Sequence, residues 1–284
     1  MRYFAAAFAG LVLAGCSPLS LVNSLVPSDG YSRARDIAYG AGPRQRLNVY
    51  QGKQHPGPSP VIVFLYGGSW KNGNRGDYEF VGEAFTRHGF TVVVPDYRVY
   101  PDVKFPEFVK DAARAVRWTR DNIGTFGGDP KRIFIAGHSA GAHIAALLAL
   151  DARYLNAVGM KRGAICGLVG LAGPYAFDPL GTRSVRPIFA HLADPNTARP
   201  ITFADGRAPP SLLFHGADDT VVLPSNSRRL ARALKRDGVP VSLNILPEIG
   251  HIGLLLSLAR PFDHWAPVHG PIAKFVRDNA DCRR

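Results

Sequence analysis

From residue 44 onward, short apolar runs rich in β-branched residues alternate with longer helical stretches, and this alternation constrains the fold most. Parallel strands joined by helices are buried on both faces, so they appear in sequence as nearly continuous apolar runs. The pattern predicts an α/β fold with a mostly parallel central sheet and helices on both faces. The predicted strands are 46–50, 61–66, 91–95, 132–136, 164–171, 211–215 and 241–246, and the predicted helices are 78–88, 105–125, 140–150, 225–237 and 268–279.

The chain has 284 residues, of which 46% are hydrophobic, and this supports one domain that we place at residues 35–284. Residues 173–210 interrupt the alternation, because they contain seven prolines and show little periodicity. A long irregular insert in such a sheet is usually a functional loop, so we interpret this segment as a lid-like insert. A surface excursion without a role is the alternative.

The formal net charge is +12, but the basic residues are scattered along the chain. Their densest group lies on the predicted helix 225–237, where a solvated charged face explains it. We therefore expect no nucleic-acid partner, whereas attraction to an anionic lipid surface fits the charge better. The sequence has no Cys-x-x-Cys pair and no His-x-x-x-His on a predicted helix, so we also expect no metal site.

The pentapeptide Gly137-His138-Ser139-Ala140-Gly141 connects the predicted strand 132–136 to the predicted helix 140–150. A sharp turn from strand to helix exposes a serine hydroxyl at the carboxyl end of a sheet, and flanking glycines permit the crowded backbone. The N-terminus of the following helix favours negative charge that develops beside the serine. Ser139 is therefore the predicted nucleophile.

A second motif follows the apolar strand 61–66, where Gly67 and Gly68 precede Ser69. Backbone N–H groups in such a turn stabilise the oxygen that becomes negative in a tetrahedral intermediate, and losing one donor costs about 10²–10³-fold in rate. We predict an oxyanion hole made by the N–H groups of Gly68, Ser69 and Ala140. A plain glycine turn after a strand is the alternative.

Five motifs carry a resemblance to a known family. They are residues 39–50, Gly-Gly-x-Trp at 67–70, Asp-Tyr-Arg at 96–98, Phe-Gly-Gly-Asp-Pro at 126–130 and Gly-His-Ser-Ala-Gly-Ala-His at 137–143. Together they resemble a group of α/β-hydrolases that includes isoprenylcysteine methylesterases, bifunctional feruloyl esterases and kynurenine formamidases. The resemblance implies the α/β-hydrolase fold, small ester substrates, an acyl-enzyme intermediate and no cofactor. One departure is Tyr66, where esterases near hormone-sensitive lipase have His.

The acid of the catalytic triad is expected next along the chain, because in this fold the order is nucleophile, then Asp or Glu, then His. Residues 215–222 resemble the family's His-Gly-x-x-Asp-x-x-Val, which maps the acid onto Asp219. Asp218 is the alternative, although we expect it to be more solvated. His215 would then be a structural residue at the end of its strand.

The base of the triad must be a histidine beyond the last core strand, 241–246, and His251 fits this order. A neutral imidazole takes the serine proton, while the carboxylate sets its tautomer and stabilises the imidazolium. His264 and His269 are the alternatives, since both lie nearer the C-terminal helix.

The N-terminus is predicted to be an export signal, because Arg2 precedes an apolar run too short to span a bilayer comfortably. Leu-Ala-Gly-Cys at 13–16 resembles the bacterial lipobox. The resemblance implies that residues 1–15 are removed, that Cys16 carries the lipid, and that 16–34 are the lipidated Cys and a tether. We therefore expect an exported protein anchored at the outer membrane or elsewhere in the cell envelope. An ordinary signal peptide and an uncleaved anchor are the alternatives.

Two further cysteines, Cys166 and Cys282, are present besides Cys16. Cys166 lies in a predicted buried strand and Cys282 at the C-terminus. Export would allow them to form a disulfide, but the sequence leaves its geometry open.

The leading function hypothesis is hydrolysis of carboxylic esters by acyl transfer through the predicted triad. An amidase, as formamidases are, would use the same machinery, and the sequence hardly separates the two. A non-catalytic binding module is the third hypothesis, which is disfavoured because no predicted triad member is missing.

Overall fold

Eight strands form one sheet in the computed structural model, which describes residues 18–53 and 57–282. The strands are β1 (Tyr31–Ala38), β2 (Arg46–Gly52), β3 (Ser59–Leu65), β4 (Thr91–Pro95), β5 (Gly128–His138), β6 (Ile165–Leu171), β7 (Ser211–Gly216) and β8 (Val241–Leu246). Their order is β1-β2-β4-β3-β5-β6-β7-β8. β2 runs antiparallel to β1 and β4, and the other adjacent pairs are parallel.

The sheet is covered on both faces. Every residue of β3 and of β6 is buried, and consecutive side chains of a strand point to opposite faces. This confirms the α/β fold predicted from the nearly continuous apolar runs. All seven predicted strands are present, with small differences at their ends.

Nine α-helices are assigned in the described part of the chain. They are α1 (Pro18–Ser24), α2 (Glu79–Thr86), α3 (Glu107–Asn122), α4 (Ala140–Leu150), α5 (Ala152–Asn156), α6 (Arg186–Phe189), α7 (Ser225–Arg236), α8 (His251–Leu256) and α9 (His269–Asp278). The five predicted helices correspond to α2, α3, α4, α7 and α9. The predicted helix 105–125 ends earlier, at Asn122, because a 3₁₀ turn follows and Gly127 adopts a left-handed φ of 74°.

The folded domain begins before residue 35, where the sequence placed its boundary. β1 starts at Tyr31 and pairs with β2 at the edge of the sheet. Its residues are mostly polar and exposed, as suits an edge strand, so it has no apolar run that could have been recognised. Residues 18–34, expected to belong to a tether, therefore contribute to the fold in this structure.

The short helix α1 is also docked on the domain. Val22 of α1 and Val26, two residues after the helix ends, are buried. The Asn23 side chain donates to the carbonyl of Gly76 at 2.8 Å and accepts from the N–H of Phe80 at 3.1 Å. These contacts join the expected tether to the segment that precedes α2 and to the first turn of α2.

The predicted signal peptide, residues 1–15, and the predicted lipidation site, Cys16, lie outside the described residues. Among the residues described, none of the helices combines the length and the apolar character that crossing a membrane requires.

Cys166 and Cys282 form a disulfide, with their Cα atoms 4.9 Å apart. The bond joins the start of β6 to the segment after α9 and closes a loop across a sequence separation of 116 residues. It lies at the amino end of β6, away from the edge where the parallel strands end.

The parallel strands deliver the predicted site residues to one edge of the sheet. β3, β5 and β7 end just before the glycine turn at 67–68, Ser139 and Asp219 respectively, and His251 follows β8. Ligands of open α/β sheets bind at the carboxyl ends of the strands. The fold therefore brings four separate sequence motifs to the place where a site is expected.

Candidate active site

Ser139 lies at a sharp turn between β5 and α4, where its φ of 55° and ψ of −123° are outside the regions that L-residues usually adopt. Neighbouring glycines permit this turn. A Cβ on Gly141 would overlap the carbonyl oxygen of Leu65, and a Cβ on Gly137 would overlap the backbone of Gly141. The hydroxyl is thus held at the carboxyl end of the sheet, beside the N-terminus of α4.

Ser139, His251 and Asp219 form a continuous chain of hydrogen bonds. His251 Nε2 lies 2.9 Å from Ser139 Oγ, and His251 Nδ1 lies 2.7 Å from Asp219 Oδ2. Because an ionised carboxylate can only accept, Nδ1 carries the proton, and in the neutral ring Nε2 is left to accept from the serine O–H. The structure therefore brings together the three residues that the sequence proposed separately.

Asp219 is buried and accepts hydrogen bonds at both carboxylate oxygens. The backbone N–H groups of Val221 and Val222 donate to Oδ1, each at 2.9 Å. Burial by itself raises the pKa of the Asp219 carboxyl, but hydrogen bonds from His215, His251 and Val222 outweigh it and hold the pKa well below its usual range. The carboxylate therefore stays ionised at neutral pH.

The alternative triad residues left open by the sequence, Asp218, His264 and His269, do not take part in the hydrogen bonds that link Ser139, His251 and Asp219. Asp218 is exposed, and its backbone N–H pairs with the carbonyl of Ile249. His264 is exposed, and His269 lies 3.1 Å from the ring of His88. Among the described residues, none of the three alternatives has a hydrogen bond to Ser139 or to Asp219.

The glycine turn after β3 has an unusual backbone, with positive φ at three successive residues. Gly68, Ser69 and Trp70 have φ values of 121°, 54° and 58°. A Cβ on Gly67 would lie 3.1 Å from Ser139 Cβ, so this turn passes directly beside the nucleophile turn. The N–H groups of Gly68, Ser69 and Ala140 donate no hydrogen bond within residues 18–53 and 57–282.

Tyr66, the departure from the family pattern, holds this turn in place. Its hydroxyl donates to Asp96 Oδ1 at 2.7 Å, and its carbonyl accepts from the Tyr97 hydroxyl at 2.6 Å. The Arg44 guanidinium donates to the Tyr66 hydroxyl at 3.1 Å and to the carbonyl of Gly73 at 2.6 Å. Burial raises the pKa of both tyrosine hydroxyls well above the usual value, so they remain donors. Sequence reasoning missed this support, because its members are spread over 54 positions, from 44 to 97.

The insert at 173–210 packs against the same turn through aromatic side chains. Phe177 stacks on Trp70 with ring centroids 5.6 Å apart, and Trp70 Nε1 donates to His143 Nδ1 at 3.3 Å. His143 Nε2 in turn donates to the carbonyl of Ala198 at 2.7 Å. Burial lowers the pKa of His143 to about 4, so the ring is neutral and this tautomer satisfies both contacts. Whether the insert acts as a lid stays a prediction.

Two buried histidines adjoin the hydrogen-bonded chain. His138 Nε2 lies 3.0 Å from the carbonyl of His251, and burial lowers the pKa of His138 to about 3. His215 Nε2 lies 3.2 Å from Asp219 Oδ2, so His215 contacts the carboxylate as well as ending its strand. The sequence feature that could have indicated this contact is the spacing of four positions between His215 and Asp219 in the motif at 215–222.

Within 18–53 and 57–282, no three His, Cys, Asp or Glu side chains are grouped so that they could hold a metal ion.

The strand order, the single reversed strand β2 and the serine turn after β5 together define the α/β-hydrolase fold. Solved structures agree with this class. A truncated carbohydrate esterase from gut microbiota has a TM-score of 0.76 and 20% identity, covering 90% of this chain and 99% of that one. Esterase B from Lactobacillus rhamnosis has a TM-score of 0.78 and 17% identity, covering 93% and 91%. Because these sequence identities are low, the two comparisons establish a shared fold and nothing more specific.

Sequence comparisons point to esterases within this class. The family model BD-FAE matches residues 47–176. The isoprenylcysteine alpha-carbonyl methylesterase ICME of Arabidopsis thaliana is 30% identical over 247 residues, which are 78% of this chain and 57% of that protein. Esterase LipC of Mycobacterium tuberculosis is 33% identical over 254 residues, which are 81% of this chain and 62% of that protein. The chain thus spans less than two thirds of the length of either relative.

Proposed function

We propose that the protein is a serine carboxylesterase that hydrolyses small carboxylic esters through an acyl-enzyme. Ser139 is the nucleophile, His251 the general base and acid, and Asp219 the acid that orients His251. The observation that carries the proposal is the unbroken hydrogen-bonded chain from Ser139 to Asp219. Similarity to proteins named as esterases supports the same reaction class.

In the first half of the reaction, His251 Nε2 takes the Ser139 proton as Oγ attacks the ester carbonyl carbon. The carbonyl oxygen becomes negative and is stabilised by the N–H groups of Gly68, Ser69 and Ala140. His251 then donates its proton to the departing alcohol, and the acyl group remains on Ser139.

The second half repeats these steps with water. His251 takes a proton from water, the resulting hydroxide attacks the acyl-enzyme, and the acid is released as Ser139 recovers its proton. Asp219 stays ionised throughout and stabilises the imidazolium that forms twice in each cycle. Residues of this chain supply every group that these steps require.

Turnover of p-nitrophenyl acetate, butyrate and decanoate by residues 17–284, beside the Ser139→Ala variant, tests this function. We expect hydrolysis by the native chain and loss of about 10⁴-fold or more in the variant, because its nucleophile is gone. Ser242→Ala, an exposed serine on β8, is the matched control and should keep full activity. Unchanged activity in Ser139→Ala would refute the assignment, and a matched anilide series would reveal an amidase.

We also propose that the protein is an exported lipoprotein, anchored through Cys16 to the outer membrane or cell envelope. The lipobox-like residues 13–16 support this, and the Cys166–Cys282 disulfide fits an oxidising compartment outside the cytoplasm. Radiolabelled palmitate fed to a Gram-negative host that expresses the full chain should label the protein. A Cys16→Ala variant that still carries the label would exclude this site.

A further inference from the structure

His215, the penultimate residue of β7, is fully buried behind the hydrogen-bonded chain. Its Nε2 lies 2.7 Å from the carbonyl of Val222 and 3.2 Å from Asp219 Oδ2. Its Nδ1 lies 2.7 Å from the hydroxyl of Ser227, which is also fully buried, in the first turn of α7. The ring therefore links β7, the loop that carries Asp219, and α7.

These contacts determine which nitrogen carries the proton. The carbonyl of Val222 and the ionised Asp219 carboxylate can only accept, so His215 Nε2 carries the proton. This one N–H group donates to the Val222 carbonyl at 2.7 Å, and its second, longer branch reaches Asp219 Oδ2 at 3.2 Å. In the neutral ring, Nδ1 accepts from the Ser227 hydroxyl; in the charged ring, it donates to the same oxygen. In either state, the Nε2–H group of His215 faces Asp219 Oδ2, and this contact lowers the pKa of the Asp219 carboxyl.

Asp219 Oδ2 is also the oxygen that His251 Nδ1 contacts at 2.7 Å. One carboxylate oxygen is thus shared by two imidazoles, while the other accepts two backbone N–H groups. These donors fix the carboxylate plane and the direction in which Oδ2 faces His251. His215 does this from a fully buried position, where it contacts neither Ser139 nor solvent.

We propose that His215 is a positioning residue of this site, which donates to Asp219 Oδ2, is itself held by Ser227, and so orients Asp219 toward His251. The inference rests on the proposed esterase function. It goes beyond the structural role at a strand end that the sequence suggested for His215.

Removing this donor has two consequences. The carboxylate gains freedom to rotate, so fewer molecules hold His251 aligned with Ser139, and kcat falls while KM is unchanged. In the molecules whose carboxylate still faces His251, Oδ2 has lost the contact with His215 that spreads its charge, so it attracts the His251 imidazolium more strongly. The acid limb of the profile of kcat/KM against pH, which reports protonation of His251, then moves to higher pH.

The other titratable groups near His251 do not change this assignment of the acid limb of the kcat/KM profile to His251. His138 faces His251 from β5, and its pKa of about 3 keeps it neutral across pH 5 to 9. Asp219 stays ionised over the same range. Asp218 is exposed and has no hydrogen bond to His251 in the described part of the chain.

The experiment compares His215→Met, His215→Gln and Ser227→Ala with the native chain, using p-nitrophenyl butyrate from pH 5 to 9. Glutamine can place its amide N–H where Nε2 lies, whereas methionine fills similar space without a donor. In His215→Met we expect kcat to fall about tenfold at unchanged KM, and the acid limb to rise by about half a pH unit. His215→Gln should recover most of the lost kcat and most of the shift in the acid limb. Ser227→Ala should lose less kcat than His215→Met.

A second readout does not depend on turnover. Nitrogen NMR of ¹⁵N-histidine-labelled protein, with His215 assigned from the His215→Gln variant, should show a proton on Nε2 at every pH. A folded His215→Met variant with native kcat and a native acid limb would overturn the proposal, even though the native chain hydrolyses the ester. So would a loss of activity that follows the loss of stability, leaves the limb in place and is not recovered by glutamine, because that pattern is purely structural.

Discussion

At the scale of single residues, the two adjacent carboxylates at 218 and 219 have opposite environments. Asp219 is buried and is contacted by His251, His215 and two backbone N–H groups, whereas the Asp218 side chain is exposed. A carboxylate orients a catalytic imidazole only if it is fixed and ionised, and Asp219 meets both conditions.

Replacing Asp219 with Asn should therefore reduce kcat by roughly 10³–10⁴-fold, because an amide can present a donor to His251 Nδ1 and favour the wrong tautomer. Asp218→Asn is nearly isosteric and should keep activity within about twofold, as surface substitutions usually do. Initial rates with p-nitrophenyl butyrate measure both. A larger loss in Asp218→Asn than in Asp219→Asn would reverse the assignment of the acid.

At the scale of elements, the strand–turn–helix unit formed by β5, Ser139 and α4 depends on very close backbone approach. Gly141 lies so near the end of β3 that an added Cβ would overlap the carbonyl oxygens of Leu65 and Tyr66. Backbone cannot move aside as a flexible side chain can, so the helix must shift away from the sheet.

Gly141→Ala should lower the free energy of unfolding by about 1–3 kcal/mol, as overpacking does, and should displace Ser139 from His251. Gly163→Ala is the matched control, because its added methyl group meets no atom within 4 Å. Urea unfolding and esterase assays on both variants test this. Native stability and activity in Gly141→Ala would show that the turn can relax without cost.

At the scale of the whole molecule, the Cys166–Cys282 disulfide ties the last described residue to the central sheet. A bond that closes a long loop stabilises mainly by restricting the unfolded chain. Cys166 is the second residue of β6, at the amino end of the strand and away from the candidate active site, so the bond should affect stability more than catalysis.

Reduction with dithiothreitol should therefore lower the free energy of unfolding by about 2–5 kcal/mol while leaving kcat at 25 °C nearly unchanged. Urea unfolding with and without reductant measures the difference. The Cys166→Ser/Cys282→Ser double variant should match the reduced protein and should not respond to reductant. Equal unfolding midpoints for the oxidised and reduced native chain would contradict the prediction.

Local sequence by itself determined the strand and helix segments that build the sheet and the turn that carries Ser139. A nearly continuous apolar run indicates a strand that is buried on both faces. A serine flanked by two glycines, between a strand and a helix, indicates a crowded turn. β1 was missed because an edge strand buries little and has no apolar run. The docked helix α1 was missed because it is short and only Leu19 and Val22 mark its packed side.

Only the tertiary structure decided which side chains meet. Ser139 and His251 are 112 positions apart, and His251 and Asp219 are 32 apart, so sequence could rank the alternatives but could not exclude them. Tyr66 and His215 acquire their roles through the residues that fold against them. Hydrogen bonds act over about 3 Å in space, whereas local patterns extend over a few residues of chain, so these contacts depend on the folded sheet.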